Sequence, residues 1–349
     1  MSQSIVALRE RAVIEPGGFD AFEPSVARAQ IPVPWLADLA VILTVRGRVQ
    51  DAADLLVGLA DVRLRVRLRE LSKSANKSVR AAASSLLASQ HVPPERSVRI
   101  EVLGPLRVAF DGLASWPVQF NRRAVRELLL LLVERGVVTR ARACSMLWPD
   151  LVDEAGRNNL RVTLTYLTQA LQPDRQANEP SHFIEDLGDS LSLRSGASLR
   201  LDVDEFHEAL RLAAEYEQRG AASAAMAAYH RAAALYRGEH LASVDDVEWA
   251  LAPRERERLA FVRAAVRGGE LAVAQGDLEV ATALALRSVE VDPWSEPARR
   301  LLAEARLASG DRSGAIRALY DCARVLADLG IGPEPETRML ARRVGFPAW

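Results

Sequence analysis

Two four-residue turns constrain this sequence more than anything else in it. Ala274-Gln275-Gly276-Asp277 and Ala308-Ser309-Gly310-Asp311 place the same chemistry 34 residues apart. A glycine able to turn left-handed ends one helix, and an aspartate able to accept a backbone N–H starts the next. A fixed period of this length marks helix pairs that bury their apolar faces only by stacking on their neighbours, so a solenoid is expected here. Around these turns, residues from 203 onward read as nearly uninterrupted helix, rich in alanine and leucine. Gly220 separates an earlier, less regular pair, residues 203–219 and 221–237. Asp292-Pro293 ends the second helix of the first full unit, and Gly332-Pro333 with Pro335 closes the stack.

The period is that of a tetratricopeptide repeat, which predicts a TPR-like all-α domain over residues 202–345. Upstream, between residues 96 and 201, the pattern changes. Residues 99–103 and 106–110 alternate apolar and polar side chains, with Gly104-Pro105 between them and Asp111-Gly112 after them, so they read as paired antiparallel strands. A third strand is expected at residues 117–120. Asn121 then caps a helix that runs to Arg135, with Val125, Leu128, Leu129 and Leu132 on one face and Gly136 at its end. Thr139 opens a second helix that stops at Pro149. An acidic loop, residues 150–154, leads to a third helix over residues 155–172, and strands at 182–185 and 190–193 form a closing hairpin. Strands, three helices and a hairpin make a winged helix-turn-helix of α+β class. The fold expected for the whole chain is mainly α: a small helical segment, a winged helix, then the solenoid.

Residues 1–95 are the least informative. Four short helices fit residues 34–46, 49–59, 62–72 and 77–89. In the third, Arg63, Arg65, Arg67 and Arg69 alternate with apolar residues, which suits a strand by period alone, but the flanking helices favour a helix. Such an arginine run reads as a solvated face.

Composition excludes several classes. With 49% hydrophobic and 26% charged residues in 349, the chain is expected to fold rather than stay disordered. The longest apolar run, residues 128–133, falls far short of the ~18 to 20 residues a membrane span needs. Arg9, Glu10 and Arg11 stand where a secretory signal would need apolar residues, so a cytoplasmic protein is expected. No Gly-x-x-x-x-Gly-Lys phosphate loop is present, and His207-Glu208 lacks the second histidine of a zinc-protease helix, so no enzyme and no cofactor is expected. His91, His182, His207, His230 and His240 lack metal-ligand spacing. Cys144 and Cys322 read as buried small hydrophobes, and Trp116, Trp148, Trp249 and Trp294 as core. A net charge of −1 argues neither for nor against nucleic acid. The first two segments are slightly basic and the last is acidic. DNA binding by such a chain would depend on locally placed arginines.

The third helix of the middle domain supplies the local chemistry. Leu160, Leu164, Leu167 and Leu171 form one apolar stripe. Opposite it lie Asn158, Val162, Thr165 and Gln169, flanked by Arg161 and Tyr166, with Arg157 near the start. Asn and Gln can bond adenine bidentately, Arg can do so with guanine, and Val or a Thr methyl can touch a thymine methyl. No acid lies between residues 155 and 172. A plain solvated face would have similar composition, but the second helix of a helix-turn-helix enters the major groove. Arg140 and Arg142 open the preceding helix, where free N–H groups also favour phosphate. Arg122, Arg123 and Arg126 read individually as solvated.

At this point the sequence resembles a known family. Ile100-Glu101-Val102-Leu103-Gly104-Pro105-Leu106, residues 143–148, and Asn159-Leu160 through Leu171 look like the actinobacterial antibiotic-regulatory (SARP) activators, whose winged helix is of the OmpR/PhoB response-regulator type. Tyr236-Arg237-Gly238-Glu239, Trp249-Ala250-Leu251 with Arg254 and Glu255, Asp292-Pro293-Trp294, Leu329-Gly330-Ile331-Gly332-Pro333 and Pro335-Glu336-Thr337-Arg338 are similar to that family's bacterial transcriptional activation domain. The resemblance covers about residues 99–343.

It implies an activator that binds direct repeats in double-stranded promoter DNA, often as a side-by-side dimer. It also implies recruitment of RNA polymerase through the sigma and alpha subunits. The loop at residues 149–154, with Asp150, Asp153 and Glu154, corresponds to the family's polymerase-facing segment. Two departures stand out: residues 1–95 have no counterpart in the family, and the wing carries Glu185, Asp186 and Asp189 where the family has arginine and glycine. An acidic wing repels phosphate, so affinity then depends on cooperativity, a partner or the amino-terminal arginines. Two other readings stay open: a repeat-based protein-interaction scaffold whose winged helix makes protein contacts only, and a sensor whose small ligand gates DNA binding.

Overall fold

The computed structural model describes residue 27 and residues 31–347, apart from residues 57, 58, 60, 90–95, 176–180, 195, 197 and 246. The linker expected at residues 91–96 therefore falls, but for Arg96, outside the described residues. The four expected amino-terminal helices form as α1 (Val33–Val45), α2 (Val49–Leu56), α3 (Val62–Leu71) and α4 (Lys77–Ser89). They enclose a core of their own that includes Leu36, Leu43, Leu55, Leu64, Leu68 and Leu86. Leu64 and Leu68 stand one helical turn apart, which places the arginine run on a helix and not on a strand. The run is not uniformly solvated. Arg65 is only 6% exposed, and Arg67 donates from Nε and Nη2 to Asp38, each at 2.9 Å.

The winged helix begins with β1 (Val98–Glu101) between antiparallel β2 (Arg107–Phe110) and parallel β7 (Leu199–Leu201), with β3 (Leu113–Ser115) outside β2. The Asp111-Gly112 pair reverses the chain within two residues, both with positive φ. The third strand therefore falls at 113–115 and not at 117–120, where Val118–Asn121 instead winds into a short 3-10 helix behind Pro117. The first helix, α5 (Arg123–Arg135), starts behind Arg122, with no side-chain cap. Asn121 does not cap it, because its Oδ1 accepts from Trp116 Nε1 at 2.9 Å. An unexpected strand, β4 (Val137–Thr139), follows, then α6 (Arg140–Leu147), with Thr139 Oγ1 accepting from the Arg142 N–H. The third helix, α7 (Asp153–Leu171), precedes the hairpin of β5 (Ile184–Asp186) and β6 (Ser190–Leu193), and β4 pairs with β6.

The solenoid consists of α8 (Asp202–Gln218), α9 (Ala222–Leu235), α10 (Glu248–Gln275), α11 (Leu278–Val291), α12 (Glu296–Ala308), α13 (Arg312–Leu329) and α14 (Pro335–Val344), each packed on its predecessor. The repeated turn has one geometry at both places. Gly276 and Gly310 take φ of +79° and +84°, a region that only glycine enters without strain. Asp277 and Asp311 then accept from the N–H groups of Val280 and Gly314.

Winged helix and solenoid are fused at a seam. Asp202, the first residue of α8 and 1% exposed, accepts from the Val102 N–H at 2.7 Å and the Leu103 N–H at 3.0 Å. Past α9 the chain returns to the same place: Arg237 N donates to Leu103 O at 2.9 Å and Leu241 N to Val102 O at 3.0 Å. Arg237 also reaches Glu101 Oε2 at 3.2 Å and Asp202 Oδ2 at 3.5 Å. A side chain at Gly104 would stand 3.3 Å from Arg237 Cβ, so the two segments close only on glycine. One continuous apolar core therefore runs from Val98 and Ile100 through Phe206 and Tyr236 to Phe261. Replacing Asp202 by Ala strands two buried N–H donors, and each such loss costs roughly 1–3 kcal/mol. Urea unfolding of Asp202→Ala is expected to show a stability loss of about 2–6 kcal/mol.

Ionic bonds extend the seam. Glu134 on α5 lies 3.3 Å from His240 Nε2 and 3.1 Å from Arg256 Nη2. Arg256 Nε also meets Glu257 at 2.7 Å, and Glu257 meets His207 Nε2 at 2.9 Å. Burial works to raise both glutamates, but the bonds from His240 and Arg256 to Glu134, and from His207 and Arg256 to Glu257, outweigh it and hold both below 4.5. The bond to Glu257 lifts His207 above 6.5 against burial. A raised histidine contributes fully below 6.5 and loses its contribution as pH rises through the folded value. Lowered glutamates contribute fully above 4.5 and lose it as pH falls. The melting temperature is expected to peak between these limits, and His207→Ala to flatten the alkaline side of the curve.

Candidate nucleic-acid interface

Helix α7 presents two unlike faces. Leu160, Leu167 and Leu171 are buried against α5 and α6, with Leu164 half-buried and Thr163 and Thr168 filling the same side. Arg157, Asn158, Arg161, Val162, Thr165 and Gln169 are all exposed. The helix begins two residues earlier than expected, behind Val152, with no side-chain cap. Asp153 and Glu154 occupy its first turn, where the helix dipole favours acids. Two of the three acids assigned to a polymerase-facing loop are thus helical, and only Asp150 stands in the turn.

Local bonds arrange the face. Arg161 Nη2 donates to Asn158 Oδ1 at 3.2 Å, and Thr165 Oγ1 donates to Arg161 O at 3.0 Å, which engages the threonine donor with its own helix backbone. Tyr166 is half-buried beneath Arg122, whose guanidinium lies 4.1 Å from the ring centroid. This cation–π contact brings Arg122 from the start of α5 to the flank of the α7 face. The pairing was invisible in sequence, because 44 positions separate the partners. Gly156 on α7 packs against Cys144 of α6, where an added Cβ would meet Cys144 Cβ at 3.4 Å, an ordinary contact distance. Cys144 is half-buried, not fully buried as expected, and burial pushes its thiol up against the opposing effects of Arg157 and Arg140.

The two arginines expected beside this face point elsewhere. Arg140 donates to Asp186 Oδ2 at 2.6 Å and to Gly188 O at 2.8 Å, so its side chain braces the wing. Arg142 lines a cleft between α6 and α10. Within the wing, Glu185 is paired with Arg194 at 2.8 Å, and Asp189 is exposed. The acidic wing is therefore partly neutralised by its own bonds. Trp116 and Trp294 are 47% and 55% exposed and do not belong to the core, unlike buried Trp249. No helix among the described residues is long and apolar enough to cross a membrane.

Residues 201–344 match the family described as bacterial transcriptional activator domain, which begins one residue before α8. The chain therefore carries a domain of a transcriptional activator class. Among solved structures it is similar to Mycobacterium tuberculosis EmbR in complex with a low affinity phosphopeptide, with a TM-score of 0.61 and 21% sequence identity. That likeness covers 72% of this chain and 65% of the EmbR chain, so the chain spans about two thirds of that protein's length. No curated protein matches the sequence. The family match agrees with the bacterial transcriptional activation domain expected over residues 202–345, and the shared fold agrees with the architecture expected of the chain.

The Arg140 brace predicts a local effect. An exposed ion pair contributes little to global stability, about 0–1 kcal/mol. Arg140→Ala is expected to leave the melting temperature nearly unchanged while amide exchange at Leu187 and Gly188 speeds up.

Proposed function

We propose that this protein is a transcriptional activator that binds double-stranded promoter DNA through the exposed face of α7. One observation carries the reading: an acid-free face of Arg157, Asn158, Arg161, Val162, Thr165 and Gln169 on the second helix of a helix-turn-helix, in a chain that also carries an activator domain. Asn158, Arg161 and Gln169 supply base-edge bonds, and Val162 and the Thr165 methyl supply apolar contact to thymine. Arg157 and Arg122 contact phosphate on either side. Arg140 acts by holding the wing, and Arg142 stands aside from the DNA.

Few phosphate contacts imply modest affinity and a shallow salt dependence. Binding as a dimer on direct repeats offsets that weakness. Asp150, Asp153 and Glu154 form an acidic corner beside the DNA-reading face, which suits contact with RNA polymerase through the sigma and alpha subunits, the partners that the family resemblance implies. Cytoplasmic residence and a regulatory, non-catalytic role follow from the same reading.

Gel-shift titration on a direct-repeat promoter at two salt concentrations tests it. Arg161→Ala is expected to weaken binding about ten-fold, since one good bidentate base contact contributes ~1–3 kcal/mol of discrimination. Asp150→Ala is expected to leave the shift intact and to lower transcription with purified polymerase. Equal, weak shifts on all sequences for the unsubstituted chain and for Arg161→Ala would sink the reading in favour of a repeat-based scaffold.

A further inference from the structure

The winged helix and the solenoid meet tightly at the seam and then part. Between α6 and the start of α10 they leave a cleft of about 600 Å³. Arg142, Ser145 and Met146 line it from one face of α6, at the i, i+3, i+4 spacing of neighbouring helical side chains. Trp249, Ala252 and Pro253 form the opposite wall. Its size and its place at a domain junction are those of a small-molecule site.

The charges in the cleft are unevenly matched. Arg256 is already shared between Glu134 and Glu257. Arg135 and Arg142 line the same cleft, and among the described residues neither guanidinium makes a hydrogen bond or ion pair. Glu248 is the one lining carboxylate without such a partner among the described residues. Two unshared guanidinium groups thus face one unshared carboxylate. Pro253 lies inside α10, and proline carries no N–H, so the helical bond that would end on the Trp249 carbonyl cannot form. Met146, Trp249 and Pro253 supply the apolar surface.

We propose that this cleft binds a small aromatic anion, a flat ring system carrying an acid group such as a carboxylate or sulfonate. The ring lies against Met146, Trp249 and Pro253, and the acid group meets Arg135 and Arg142, whose planar forks suit an oxyanion. One wall belongs to the helix-turn-helix and the other to the solenoid, so occupancy tightens the junction between them. The site goes beyond the DNA-binding reading and stands whether or not α7 binds DNA.

Fluorescence titration of the full chain with 8-anilino-1-naphthalenesulfonate, and separately with its uncharged parent N-phenyl-1-naphthylamine, tests the proposal. The sulfonate is expected to bind saturably, and Ala252→Trp, which fills the cleft from an exposed position, to abolish that binding. Arg135→Ala combined with Arg142→Ala is expected to weaken the sulfonate about ten-fold, the loss of charge-assisted hydrogen bonds, and to leave the uncharged dye unchanged. If Ala252→Trp proves unfolded by its thermal melt, Ser145→Trp from the opposite wall takes its place with the same expected loss. Absence of saturable sulfonate binding, binding that survives the filling substitution, or equal weakening of both dyes by the arginine substitutions overturns the site. Gel shifts on the same samples report DNA binding independently, so failure of one reading is distinguishable from failure of the other.

Discussion

The buried carboxylate of Asp202 holds the two halves of the molecule to each other, and the rest of the structure depends on that contact. Burying a carboxylate is costly unless its oxygens are bonded. Here the Val102 and Leu103 N–H groups and Arg237 all converge on it, and burial still raises its pKa. The same few residues of backbone also pair with the 237–241 segment, so the chain just past β1 serves both the first solenoid helix and the returning segment. A winged helix on a flexible tether would leave these groups to water. The aromatic run from Phe206 through Tyr236 to Phe261, with Tyr236 and Phe261 stacked at 4.4 Å, continues the joint into the solenoid. The helix-turn-helix is therefore mounted on the solenoid as part of one core.

That mounting explains how a chain without a basic surplus can still present a face suited to DNA. Net charge governs long-range attraction, but base reading depends on which side chains stand exposed on one rigid helix. Acids are abundant in this protein, yet many are engaged: Glu134 and Glu257 in the seam, Glu185 and Asp186 in the wing, Asp245 with Arg123. The α7 face keeps its arginines free of acids beyond the first turn. The same fusion leaves a cleft between α6 and α10, lined by Arg142, Ser145 and Met146 on one side and by Trp249, Ala252 and Pro253 on the other.

Much of the fold was legible in the sequence because its signals are local. The Gly-Asp turns at 276–277 and 310–311 report left-handed backbone and a capping carboxylate wherever they occur, and the 34-residue spacing makes stacking the way to bury the helices. The leucine stripe of α7 likewise carries its own 3.6-residue period and marks its opposite face. Misreadings fell where neighbours in space overrode neighbours in sequence. Asn121 has the chemistry of a cap but was taken by Trp116, and residues 137–139 became a strand because β6 lay beside them.

By itself, then, the sequence determined the helices, their order and the residues of the α7 face, since each follows from turn chemistry or from periodicity within one element, whereas β4 and β7 formed only against partner strands. Only the tertiary structure decided where the arginines point. Arg122 joins the α7 face by stacking on Tyr166, Arg140 turns to the wing, Arg142 turns to the cleft, and Arg65 is buried. A long charged side chain takes its direction from the partner within its reach, and these partners come from other elements that only folding brings together.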